Sequence, residues 1–194
     1  MDRMQEYYKN ALLANLCSEY KNDWMKAMSD KKALFDMALA QQSLPHLMYF
    51  ANNGIGLTRE YIEDEFGDYI NGKYTAIDVD GVKGNYTTTL YVGYSGILSL
   101  SNDVSCFMWA NVPQVRIKAT KATKIYVGCH SNITLNLQGY NSIIVMLFDD
   151  SQVNLGECDE TNEVTVFNYS QEASFITDKF ALAKVKTFNK TLKL

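Results

Sequence analysis

Two histidines, His46 and His130, and four cysteines, Cys17, Cys106, Cys129 and Cys158, are the side chains best suited to nucleophilic or metal chemistry in this chain. Neither histidine has a second histidine, a cysteine or an acid at metal-ligand spacing, apart from Cys129 beside His130, and there is no Cys-x-x-Cys pair. Neighbouring residues on a strand point to opposite faces, so Cys129 and His130 are not expected to meet as nucleophile and base. A buried thiol and a corner imidazole are expected instead. Asp78-Val79-Asp80-Gly81 has the alternating carboxylates and glycine that open a calcium loop, but Thr89 stands where the closing bidentate glutamate belongs, and the segment reads as a turn. For the paired carboxylates of glycoside hydrolysis the candidates are Asp149-Asp150 and the run Glu157, Asp159, Glu160; all fall at expected turns, where solvated acids are ordinary. Dinucleotide, phosphate-loop, serine-hydrolase and zinc-protease motifs do not occur, and Gly54-Ile55-Gly56 is too brief to cradle a phosphate alone. These residues point to a chain that is not an enzyme, with no catalytic, cofactor-binding or metal residue to name and no cofactor implied.

What remains is contact chemistry. Aromatic residues are plentiful, with 13 Tyr, 9 Phe and 2 Trp. Tyr86, Tyr91, Tyr94, Tyr126 and Tyr140 are the candidates for a tyrosine-bearing contact surface, since a ring with a hydroxyl tip serves at a half-wet interface. Net charge is −4, which disfavours nucleic acid as a partner because phosphate contacts need clustered Lys and Arg. Charge is unevenly placed: residues 179–194 hold five lysines and no acid on an otherwise acidic chain. A solvated terminal strand paired with acidic surface of the same fold explains that run without a lipid or nucleic-acid partner. No stretch approaches the roughly 18 apolar residues of a membrane span, and the start Met1 to Tyr8 lacks a secretory layout, so the cytoplasm is the expected compartment.

The elements that must position these residues change character at Gly72. From Arg3 to Met28 there is no Pro or Gly, and Met4, Tyr8, Leu12, Leu16, Tyr20 and Trp24 recur every four residues on one helical stripe. Ser29 is placed to cap a second helix over 30–42, Ser43 with Pro45 to start a short third, and Thr58 to cap a fourth over 59–66, ended by Gly67. A helix-turn-helix role for that fourth helix is disfavoured, because it presents one arginine against four acids. Residues 1–72 are therefore expected to form a docking or capping domain of three to four helices. Beyond them Thr, Val, Ile and Tyr alternate with polar residues. Lys73–Val79 and Tyr86–Tyr94 read as two strands, expected as a hairpin. Ile125, Ile133, Ile143, Val153 and Val164 then open successive short strands 8, 10, 10 and 11 residues apart, the last four each after an Asn, Asp or Ser corner. That spacing over 73–178 suits a β-solenoid better than an antiparallel sandwich, giving an α+β chain whose 179–194 segment is a basic strand or tail. The helices and the lysine segment are expected to cap the solenoid's ends.

The runs Leu16-Cys17-Ser18-Glu19-Tyr20-Lys21 with Trp24, Lys32-Ala33-Leu34-Phe35-Asp36, Gly56 to Ile62 and Tyr69 to Tyr74, followed by an Asn/Asp-Ser-x-Val-x-Leu array, resemble uncharacterised proteins of phages and prophages that infect gut Bacteroidales. The resemblance covers most of the chain and transfers no functional residue. It implies a phage setting, in the host cytoplasm or the virion. Three functions follow as expectations: a structural or assembly protein acting through protein partners, as a homo-oligomer with a helical docking part and a β contact surface; an inhibitor of a host defence factor; and a carbohydrate-binding fibre element.

Overall fold

The computed structural model describes residues 3–13, 18–27, 29–40, 43–73, 76–78, 86–100, 103–118 and 123–192. Among the described residues five helices come first: α1 (Arg3–Leu13), α2 (Ser18–Ala27), α3 (Lys31–Leu39), α4 (Leu44–Asn52) and α5 (Arg59–Phe66). Within the stretch 3–28 expected as a first helix, α1 and α2 are the described parts; residues 14–17 between them, Leu16 of the expected stripe included, lie outside the described residues. Asp30, not Ser29, caps α3, accepting from the backbone N–H groups of Lys32 and Ala33 at 2.9 and 3.1 Å. A carboxylate satisfies two of the orphan donors at a helix start, where the helix dipole also favours its charge. Thr58 caps α5 as expected, its Oγ1 accepting from Tyr61 N at 3.1 Å. No described helix is long and apolar enough to cross a membrane.

Twelve strands follow: β1 (Ala76–Asp78), β2 (Tyr86–Val92), β3 (Ser95–Leu100), β4 (Val104–Met108), β5 (Asn111–Lys118), β6 (Thr123–Gly128), β7 (Asn132–Gln138), β8 (Ser142–Leu147), β9 (Gln152–Leu155), β10 (Glu163–Asn168), β11 (Ser174–Thr177) and β12 (Lys184–Asn189). They form one seven-stranded sheet, β1-β2-β4-β6-β8-β10-β12, and one five-stranded sheet, β3-β5-β7-β9-β11. All pairs are parallel except β1 with β2, the antiparallel pair expected there. The chain is therefore a parallel β-solenoid of about five coils, each coil giving one strand to each sheet. The 8 to 11 residue spacing of the sequence is the half-coil; the full period is near twenty, as in Ile125 opposite Val145 and Ile133 opposite Val153.

Alternation then decides which side chains share an interior. Phe107, Ile125, Val127, Ile133, Leu135, Ile143, Val145, Leu147, Val153, Leu155, Val164 and Val166 are all buried in the core between the two sheets. Corners hold this stack in register through buried polar side chains. Asn141 Nδ2 donates to Asn162 Oδ1 one coil on at 2.9 Å, and both residues are fully buried. At the opposite corner Ser131 Oγ accepts from Ala110 N at 3.0 Å, while Ser131 N donates to Ser151 Oγ at 3.1 Å. Paired in this way, the Asn141 amide N–H, the Asn162 side-chain oxygen and the Ser131 and Ser151 hydroxyls gain partners from the coil above or below, while Asn141 Oδ1 stays buried without one.

A second core lies on the outer side of the seven-stranded sheet, where Leu90, Val92, Val104, Cys106, Met108, Tyr126, Met146 and Phe148 pack with Leu34, Leu44, Leu47, Met48, Phe50 and Ile62 of the helices. The helices lie over this face of the early coils, where they were expected to cap an end. The reason is compositional: β2, β4, β6 and β8 are apolar on both faces, and the outer face must be covered. Two glycines allow the close approach. A Cβ on Gly128 would stand 2.5 Å from Met48 Sδ, and one on Gly93, which has φ +58°, would stand 2.2 Å from the Arg59 guanidinium.

Two outcomes check this packing. Ile133→Asp or Val145→Asp places an unpaired carboxylate in the inter-sheet core and is expected to remove cooperative thermal unfolding altogether, because the cost of several kcal/mol matches a domain's whole margin. Gly128→Val pushes Met48 outward and is expected to cost about 1–3 kcal/mol in urea melts while leaving the far-ultraviolet β signal intact.

Candidate interaction surface

The parallel register turns each outward position of the seven-stranded sheet into a column that crosses the coils. One such column is Leu90, Cys106, Tyr126, Met146, Phe167 and Phe188. Its first four members are buried beneath the helices, Phe167 is half-buried, and Phe188 is 47% exposed. A neighbouring column stacks Phe148 on Tyr169, with ring centroids 4.9 Å apart and planes 5° from parallel. The aromatic columns thus run out from under the helical layer onto β10 and β12, where Phe167 and Phe188 meet at 5.7 Å.

Around this strip stand Lys184, Lys186 and Lys190, all exposed. Lys190 Nζ lies 5.3 Å from the centroid of Phe167, and Lys179 Nζ lies 4.8 Å from that of Phe180, distances at which an ammonium is attracted to a ring face. Ile176, Phe180 and Leu182, at 48%, 62% and 63% exposure, complete an apolar and basic end of the solenoid. The lysine segment is therefore not a separate cover. Lys184–Asn189 is itself a rung, β12, paired in register with β10 through six residues.

The five tyrosines named from the sequence do not share a face. Tyr91 points into the inter-sheet core and stacks on Phe107 at 5.0 Å, with Tyr94 edge-on to it at 5.8 Å. Tyr126 does point outward from the solenoid, but the helices cover it to 4% exposure. Tyr140 is exposed, alone at the corner before Asn141. The side chain of Tyr86 lies outside the described residues. Alternation within one strand gives direction; which outward positions a second layer then covers is a tertiary matter. The strip that sequence reasoning missed carried a signal, a large side chain recurring at intervals of 20, 20, 21 and 21 residues through Cys106, Tyr126, Met146, Phe167 and Phe188.

The structure also assembles a group that sequence spacing did not. His130, Asp149 and Asp150 bring their ligand-type atoms within 4.8 Å of one another, because a corner one coil later places 149–150 beside 130. Cys129 and His130 sit on this corner with φ of +54° and +60°, not within a strand. Asp149 is held as a corner brace: it accepts from Cys129 N, from His130 N at 3.1 Å and from Ser151 Oγ at 2.7 Å. Those bonds occupy three of the roughly four acceptor positions of the carboxylate. Burial pushes the Asp149 carboxyl above its ordinary value against the opposing pull of the same bonds. Partial burial acts upward on Asp150 too, but the His130 hydrogen bond at 2.5 Å and the His130 charge outweigh it, and Asp150 ends below the ordinary carboxylate value. Burial pushes the thiols of Cys106 and Cys129 well up, which keeps them protonated and poor nucleophiles. Among the described residues Asp78 ends β1 and pairs with Tyr86, while the remainder of the calcium-like segment lies outside them.

One cleft of about 300 Å³ opens between α1 and the start of α5, lined by Arg3, Glu6, Tyr7, Gly56, Thr58, Glu60 and Tyr61. Its mouth is charged and its wall is the Tyr7 ring, against which Gly56 packs so closely that a Cβ would come within 2.8 Å.

His130→Ala is expected to raise the Asp150 carboxyl toward its ordinary value in a carbon-13 NMR titration. The sign follows from linkage: a carboxyl held low in the folded state stabilises above its unfolded value and loses that contribution as pH falls through the lower one. An unchanged Asp150 midpoint in the variant would remove His130 as the cause. No family model matches the chain, and neither the curated proteins nor the solved structures compared with it give a match.

Proposed function

We propose that this chain is a non-enzymatic assembly module that binds protein through the open, lysine-rich end of its solenoid. The observation that carries the reading is the concentration of exposed apolar surface there. Phe188 on β12, Phe180 and Leu182 just before it and Ile176 on the five-stranded sheet are between 47% and 63% exposed, while the column of Phe188 farther up the seven-stranded sheet is buried under helices. Exposed apolar side chains gathered at one end and rimmed by charge are what protein interfaces present when the partner is absent. The basic rim favours a partner surface that carries acids. In the phage setting that the sequence resemblance implies, such a module would be a virion part or an accessory factor in the host cytoplasm.

Site-specific photo-crosslinking tests this. A benzoyl-phenylalanine residue in place of Phe188 is expected to yield discrete cross-linked protein species in expressing cells, and one in place of the exposed Gln171 is not. Equal or absent crosslinking at the two positions would count against the reading.

A further inference from the structure

We infer that the partner at this end is a second copy of the chain, stacked head to tail, with β11 of one copy extending the five-stranded sheet of the next at its β3; this inference rests on the assembly reading above.

The five-stranded sheet has two open edges. Among the described residues β3 pairs with β5 alone, and β11 with β9 alone, so each leaves a row of backbone donors and acceptors unpaired toward the end of the solenoid. By contrast, the head edge of the seven-stranded sheet is occupied: β1 pairs with β2 there, and Asn71 bonds the same strand through its backbone N–H to Leu90 O and its side-chain oxygen to Val92 N. A parallel ladder is propagated by adding another parallel strand, and β3 and β11 run in the same direction within one sheet. Head-to-tail addition keeps that direction. Tail-to-tail addition would not, and it would also set Lys184 and Lys186 of one copy against the lysines of the other.

Side chains on the outer face of this sheet point the same way. Ile97 pairs with Gln114 at the head, and Ile176 pairs with Asn154 and, through it, Thr134 at the tail. Both end positions are isoleucines, 59% and 48% exposed, and the coils between them carry polar residues at these positions. An isolated solenoid has no use for an exposed isoleucine at each terminal rung. Stacking sets Ile176 of one copy beside Ile97 of the next and buries both. Charge agrees: the tail carries Lys179, Lys184, Lys186 and Lys190, all exposed, and the head carries exposed Asp68, three residues before Asn71.

Analytical ultracentrifugation of the full chain with two variants tests the inference. Wild-type protein is expected to show a weight-average mass that climbs with concentration from 22.0 kDa past that of a dimer, and to fall back as salt is raised. Ile97→Lys blocks only the head and Ile176→Lys only the tail, so each variant alone is expected to stay a monomer with an unchanged thermal melt. Mixed together they keep one good head and one good tail, and a one-to-one dimer with nothing larger is the expected species. A mixture that remains monomeric, or a wild type that is monomeric at every concentration, overturns head-to-tail stacking. A wild type that stops at a dimer insensitive to Ile97→Lys overturns it in favour of an isologous contact. If stacking fails while position 188 still gives discrete crosslinks, the assembly reading survives with a different partner; if both fail, so does that reading.

Discussion

Everything in this molecule depends on the fact that no coil can bury its own branched aliphatic side chains. A single coil of two short strands has an inside only because the coils above and below close it, so Ile125 needs Val145 and Val145 needs Val166. The same condition falls on the corners, where buried Asn141 donates to buried Asn162 one coil on, and Ser131 links Ala110 to Ser151. Register is held from both sides, by shape inside and by hydrogen bonds at the bends. The corners also tolerate an unusual backbone. Gly93, Trp109, Cys129 and Asp149 take positive φ at the equivalent bend of four successive coils, at a cost of order 1–3 kcal/mol for a non-glycine residue, which the ladders on either side offset.

Covering the outer face of the seven-stranded sheet is the second demand, and it explains why helices precede the solenoid. Apolar side chains on both faces of β4, β6 and β8 leave that sheet uncovered unless another layer is supplied. The helical layer reaches it at Gly93 and Gly128, the places where a missing Cβ lets Arg59 and Met48 touch backbone. Where the layer stops, the sheet composition changes from Leu, Cys and Met to Phe, Thr and Lys. The boundary between covered and bare sheet is therefore written in the side chains of β10 and β12 themselves.

Much of the fold was legible in the sequence because it rests on local alternation. The Asn, Asp and Ser corners and the shift from four-residue to two-residue period at Gly72 led to helices followed by a β-solenoid, and the strand-opening Ile125, Ile133, Ile143, Val153 and Val164 all face its interior. What was not legible depends on contacts between coils or layers. The tyrosines show it best: Tyr91 and Tyr126 have opposite directions on their strands, yet both are buried, one by the interior and one by the helices. His130 with Asp149 and Asp150, twenty residues apart, belongs to the same class, since their meeting requires the coil period before it can be seen. The lysine strand was recognised as a strand, but its position as an outer rung follows from six register pairs with β10 that no single-strand pattern contains.

The two ends of the solenoid are unequally tied down, and this gives the molecule a direction in which it comes apart. At the head β3 has one neighbouring strand, but β2 is held by β1, by Asn71 and by the helical layer, whereas at the tail both β11 and β12 are fixed by one neighbouring strand alone. In a stack whose cohesion is a sum of nearest-neighbour contacts, loss begins where a unit has one neighbour and no overlay. Amide protons of β12 and β11 would then exchange first and those of β4 and β6 last, so that the surface proposed for contact would also be the part of the molecule that orders most on making it.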